Sequence, residues 1–166
     1  GGNLTAGLVG PCMTSYSLDG QQQLIKGIFE EMVIRMEKLG GALHPANIPA
    51  GSPYSGFIVY GHDKVTPFDP EVAKIVALDM VREAGVALRL HTFVADALVA
   101  GNIVQGVVAA SKSGLQAIRA TITVDCSADG DVVARAGGAF EVGRASDGLT
   151  QPMTRFFRVS NVDDAR

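Results

Sequence analysis

Five residues, Ser127-Ala128-Asp129-Gly130-Asp131, have the types and order of an anion-binding turn. They follow an apolar, β-branched run, Thr121 to Val124, which predicts a buried strand. The small residues Cys126, Ser127 and Ala128 break that run. Asp129, Gly130 and Asp131 then open a short helix that stops at Gly137 or Gly138. A strand, a tight turn and a helix start leave main-chain N–H groups free at the carboxyl end of a sheet. Phosphates and nucleotides bind α/β proteins at such places. The side chains of Asp129 and Asp131 repel a phosphate unless they turn away, so contact here must come from N–H groups. The plainer reading of the same residues is a strand-to-helix connection with an aspartate as its cap.

Other chemistries fit less well. Ser127 on a sharp turn loosely matches a nucleophile elbow, but the first glycine of that motif is missing. The catalytic His of such hydrolases follows the nucleophile, whereas His44, His62 and His91 all precede Ser127. The three His are isolated, without the spacing of metal ligands, so no metal site is expected. His44 and His62 lie in a long loop that could approach a substrate, and His91 reads as a strand residue. Arg144, Arg155 and Arg158 could clamp a carboxylate. Solvated or salt-bridged arginines are the commoner case. No catalytic acid or base can be named. Cys12 and Cys126 are far apart in sequence and read as buried free thiols of a reducing compartment.

The elements that must position these residues are legible as follows. Ile28 to Leu39 is an amphipathic helix with Ile28, Met32 and Met36 on one face, widened by Phe29, Val33 and Leu39. Glu31 and Arg35 stand at a supporting i,i+4 spacing, and Gly40-Gly41 ends the helix. Residues 42 to 68 are irregular and proline-rich, with one short candidate strand at Phe57 to Tyr60. Asp69-Pro70-Glu71 starts a second helix through capping, proline at the first position and an acid at the positive dipole end. That helix runs to Ala84 and stops at Gly85, and its wide apolar surface predicts packing on more than one side. Strands are expected at Val86 to Val94, at Ile103 to Ala110 after a Gly101-Asn102 turn, and at Met153 to Val159.

At 166 residues and 47% apolar content the chain can bury a core. Its formal charge of −3 shows no basic face for nucleic acid. Its apolar runs are shorter than the roughly 18 residues of a membrane span. The amino terminus has no signal-peptide pattern, and a cytoplasmic location is expected.

Several segments together resemble the FAD-dependent oxidoreductases of the glutathione-reductase-like superfamily, in the branch related to fumarate-reductase flavoproteins. They are Gly1-Gly2-Asn3-Leu4-Thr5, Phe68-Asp69-Pro70-Glu71, Gly101-Asn102-Ile103, Asp125 to Val132, and Asp147-Gly148-Leu149-Thr150-Gln151-Pro152. The resemblance covers nearly the whole chain. It implies that Gly1, Gly2, Asn3, Leu4 and Thr5 wrap the flavin side of FAD. It implies that Ser127, Ala128, Asp129, Gly130 and Asp131 form a second turn at the FAD phosphates, and that Val94 lies near the adenine. Cys126, Ser127 and Ala128 replace the family's usual Ala, Thr and Gly. Ala128 adds a methyl group there and resists positive φ.

The family's first βαβ unit, with its Gly-x-Gly-x-x-Gly turn, has no counterpart here, so the chain reads as an internal piece of a longer flavoprotein. The implied fold is α/β: part of a three-layer FAD-binding domain of β/β/α type, with a β-meander and part of a substrate-side region. Residues 1–68 would hold the FAD-wrapping segment, the amphipathic helix and the substrate-side loop. Residues 69–138 would hold the second helix, the meander and the second FAD-facing turn, and residues 139–166 the start of the substrate-side region. The implied activity moves a hydride or electron pair between a small organic substrate and FAD, and the fragment alone is expected to be inactive. Unpaired sheet edges would favour homo-oligomers. The competing reading is a non-catalytic structural or interaction module that binds no flavin by itself.

Overall fold

The computed structural model describes residues 2–12, 15–17, 21–48, 64–161 and 163. Gly1, His62 and the candidate strand Phe57 to Tyr60 lie outside these residues. The chain forms two compact units, one of Gly1–Ala87 with Thr154–Arg166 and one of Leu88–Met153.

The first unit is built on two helices, α1 (Ile28–Lys38) and α2 (Pro70–Glu83), which pack together. Val33 and Met36 of α1 meet Ala73 and Val76 of α2, and all four are buried. Phe29, Met32, Phe68, Val72 and Met80 pack around them. The buried stripe of α1 therefore runs through Phe29, Val33 and Met36, while Ile28 at the helix start is exposed. Arg35 ties the helices at their surface, bonding Glu31 at 2.6 Å and Glu83 at 2.7 Å. The Glu83 and Glu31 carboxylates hold the Arg35 guanidinium above its usual range.

Both helices stop for one reason. Gly40 and Gly85 adopt φ of 72° and 69°, a conformation that costs glycine little. The N–H groups of Gly40 and Gly41 then bond the carbonyls of Glu37 and Met36. Those of Gly85 and Val86 bond Arg82 and Val81. This is the paired closure of a Schellman motif. At the start of α2, the Asp69 carboxylate accepts the Glu71 N–H at 2.8 Å, and Pro70 takes the first helical position. Packing of α2 centres on the face of Ala73 and Val76; Leu78 and Val81 are half-buried, and Ile75 stays exposed. A short 3₁₀ turn at Pro45–Asn47 follows α1.

The second unit is a three-stranded antiparallel meander: β1 (Phe93–Ala100), β2 (Ile103–Ser111) and β3 (Gly114–Arg119), in that order. The turn at Gly101-Asn102 and a second at Lys112-Ser113 reverse the chain. Strand β1 is bulged between Val94 and Asp96 and between Leu98 and Val99. A five-residue helix, α3 (Asp131–Arg135), packs against β1 and buries Val132. The mixed α/β class is that of a partial α/β domain.

Of three expected strands, two are absent from the ladders, and the one expected at Val86 to Val94 keeps only Phe93 and Val94. Val86 to Leu90 has no strand partner, and the strand begins only at Phe93, after His91 turns the chain with φ of 50°. Thr121 to Val124 is not paired either, and Ile122 and Val124 are 80% and 77% exposed. Met153 to Val159 is likewise unpaired and exposed. The reason is common to all three: an apolar run becomes a strand only where a neighbour satisfies its N–H and C=O groups. Here no described segment lies alongside. His91 is accordingly a turn residue, and Cys126, expected to be buried, is exposed.

Candidate functional site

Asp125 organises the turn that precedes α3. Its Oδ1 accepts the Ser127 N–H at 2.9 Å and the Ser127 hydroxyl at 2.7 Å. Its Oδ2 accepts the N–H groups of Val132 and Val133, each at 3.0 Å. The Ser127 Oγ in turn accepts the Asp131 N–H at 2.8 Å. One carboxylate and one hydroxyl thus satisfy the first N–H groups of α3, which have no intrahelical acceptor. The Ser127 hydroxyl and N–H, followed by the Val133 and Val132 N–H groups, hold the Asp125 carboxyl down at about 2. The capping role expected of an aspartate within Ser127 to Asp131 therefore falls to Asp125. The Gly130 cap position makes no side-chain bond of its own.

The rest of the turn faces outward. Ala128 and Gly130 both take left-handed backbone, with φ of 76° and 71°. Ala128 adopts the positive φ that its methyl group resists, a conformation that costs an L-residue roughly 1–2 kcal/mol. The N–H groups of Ala128, Asp129 and Gly130 have no acceptor among the described residues, and Ala128 and Asp129 are exposed. A Cβ at Gly130 would meet nothing within 4 Å. The free donors are thus three main-chain N–H groups ahead of the helix, not those of the helix itself.

Val94, in the same unit, sits half-buried on β1 opposite Ala109, next to the first bulge. In the other unit, Gly2 to Thr5 form a loop closed on itself. The Gly2 carbonyl accepts the Gly7 N–H at 2.8 Å and the Thr5 N–H at 3.3 Å. The Asn3 carbonyl accepts the Val9 N–H at 2.9 Å. A Cβ on Gly7 would stand 3.1 Å from the Gly2 oxygen, so a larger residue there would push the loop apart by a few tenths of an ångström. The N–H groups of Asn3 and Leu4 have no acceptor among the described residues.

Two other candidates, His44 and Arg144, take structural roles. His44 Nδ1 accepts the Ala46 N–H at 3.2 Å and starts the 3₁₀ turn. The His44 and Asn47 N–H groups both reach Glu37 Oε1 and lower its carboxyl below the usual range. Arg144 is paired with Asp147 at 2.6 Å, which closes the loop at Gly148. Cys12 and Cys126 are free thiols, and burial raises that of Cys12. Among the described residues, no group of three His, Cys, Asp or Glu could hold a metal ion, and no helix is long and apolar enough to cross a membrane.

Sequence reasoning left Asp125 out of the site, although the signal was present. An aspartate two residues before a serine in a turn is the pattern of an Asx turn, in which the side chain accepts the N–H two residues on.

A mixed α/β chain with an outward-facing turn of unpaired N–H groups has the donor set that phosphate oxygens and sugar hydroxyls take. Against models of protein families, residues 1–166 match FAD dependent oxidoreductase, and the chain belongs to that family. The cofactor of the intact protein is accordingly FAD. No curated protein matches the chain, and no solved structure does. The turn offers such a group three main-chain N–H donors without acceptors among the described residues; the Asp125 carboxylate is bonded back into the protein, whereas those of Asp129 and Asp131 accept no hydrogen bond among the described residues.

Proposed function

We propose that this chain is the part of a FAD-dependent oxidoreductase that holds the cofactor while a hydride or electron pair passes between FAD and a small organic substrate. FAD supplies the redox chemistry when bound; the protein supplies position and electrostatics. Ala128, Asp129 and Gly130 would offer N–H groups to the phosphates or the ribityl chain. Ser127 and Asp131 would act as the braces that hold the turn open, through Asp125. Gly2, Asn3, Leu4 and Thr5, with Gly1, would line the flavin side, and Val94 would lie by the adenine. By role along the chain, residues 1–68 wrap the flavin and face substrate, 69–138 carry the second cofactor turn, and 139–166 begin the substrate side.

The observation that carries this reading is the family match over the whole chain, joined to three N–H groups that have no acceptor among the described residues, on a turn with two left-handed residues. The second reading, a module without flavin, draws its support from the same turn. Asp125 and Ser127 already occupy the N–H groups of α3 that would otherwise strengthen phosphate binding. Reconstitution decides between them. Protein mixed with FAD and desalted should be yellow and retain flavin stoichiometrically, and Gly130→Asp should lose most of it. A colourless product that leaves added FAD untouched favours the module.

A further inference from the structure

The first unit contains a cavity of about 560 Å³ that the sequence motifs do not announce. Its walls come from three stretches of the unit. Gly40 to Leu43 follow α1, Pro67 to Pro70 lead into α2, and Phe156 to Arg158 come from the tail. Leu8 and Gly10 complete the lining. The first two stretches are tied by the Ala42–Phe68 bridge, with the Leu43 N–H on the Pro67 carbonyl and the Asp69 N–H on that of Gly41.

Four features make it a built site. Three phenyl rings line it, and Phe157 leaves 75% of its surface exposed. Leu8 holds φ of 56°, a strained conformation for a bulky residue, and such strain gathers at functional sites. A Cβ on Gly10 would stand a close 3.1 Å from the Phe68 ring, and one on Gly41 would overlap the Val72 side chain, so the Gly41 wall needs glycine. Finally, two charged residues belong to the lining. Asp69 is committed to the Glu71 N–H, whereas Arg158 has no hydrogen-bond or ion-pair partner among the described residues. Phenylalanines together with one unpaired arginine in the lining suit a ligand with a ring and an anionic end.

We infer that this pocket binds a small carboxylate with a planar apolar body, its ring against Phe68 and Phe157 and its carboxylate on Arg158. This deepens the oxidoreductase reading, and rests on it only in making the ligand the substrate class. Isothermal titration of the full chain with benzoate, and with benzamide as neutral isostere, tests it. Benzoate should bind about tenfold tighter than benzamide, the loss expected for one charge-assisted contact. Arg158→Gln should erase that difference, Arg158→Lys should keep much of it, and Phe157→Ala should weaken both ligands, with melting temperatures confirming that each variant folds. Equal affinities, no benzoate binding, or discrimination that survives Arg158→Gln overturns the inference. Competitive displacement of benzoate by FAD assigns the pocket to the flavin and also overturns it. Failure of FAD loading on the same samples, with benzoate discrimination intact, removes the flavin reading and leaves the pocket standing.

Discussion

Asp125 shows how one side chain can set a site without touching a ligand. Its carboxylate gathers the Ser127 hydroxyl and three N–H groups, and that turns the remaining donors outward. Because its carboxyl lies lower in the folded chain than the ordinary 3.8, at about 2, it stabilises the fold above the higher value. That contribution is lost as pH falls from 3.8 through about 2. Asp125→Asn keeps the shape and removes the charge. We expect its melting temperature to lie several degrees below that of the parent at neutral pH, with the gap closing as pH falls through that window. A gap that persists below pH 2, followed by circular dichroism, would show that geometry alone matters. The signal for this role was an aspartate two positions before a serine. The structure adds what spacing cannot: the second carboxylate oxygen reaches residues seven and eight positions on.

Among the elements, helices followed their local codes, whereas the apolar runs outside the meander did not become strands. The Asp69 cap, Pro70, and the glycines after α1 and α2 act within one or two turns of chain, so their effect is readable from neighbours in sequence. The meander was readable too, because tight turns join its strands. Its closest contact is less obvious. Gly106 holds φ of 142° in the middle of β2, and a Cβ there would run into the Ile118 carbonyl of β3. Gly106→Ala should therefore destabilise the second unit by roughly 2–4 kcal/mol, through strain at a non-glycine φ and a broken β2–β3 contact. Urea titration measures the loss, and faster amide exchange along Ala117 to Arg119 locates it. Little change on either count would mean that β3 simply shifts outward.

At the scale of the whole molecule, the apolar segments left outside the sheet are the conspicuous feature. Val86, Leu88, Leu90, Ile122, Val124 and Val159 are exposed along runs with strand-like composition. Exposed unpaired edges of this kind favour self-association. We expect the chain to associate in a concentration-dependent way in sedimentation experiments, and the pair Ile122→Lys with Val124→Lys to reduce it. Association unchanged by the two lysines would place the contact elsewhere. The sequence alone determined the helices, their stops, the meander and the family, because each rests on neighbouring residues or on motifs read in order. Only the tertiary structure decided which apolar runs become strands, that Asp125 caps α3, and that Phe68, Phe157 and Arg158 line one cavity. Those outcomes depend on which distant segment lies alongside, and a strand partner, a second acceptor oxygen or a facing ring leaves no mark in the spacing of residues along the chain.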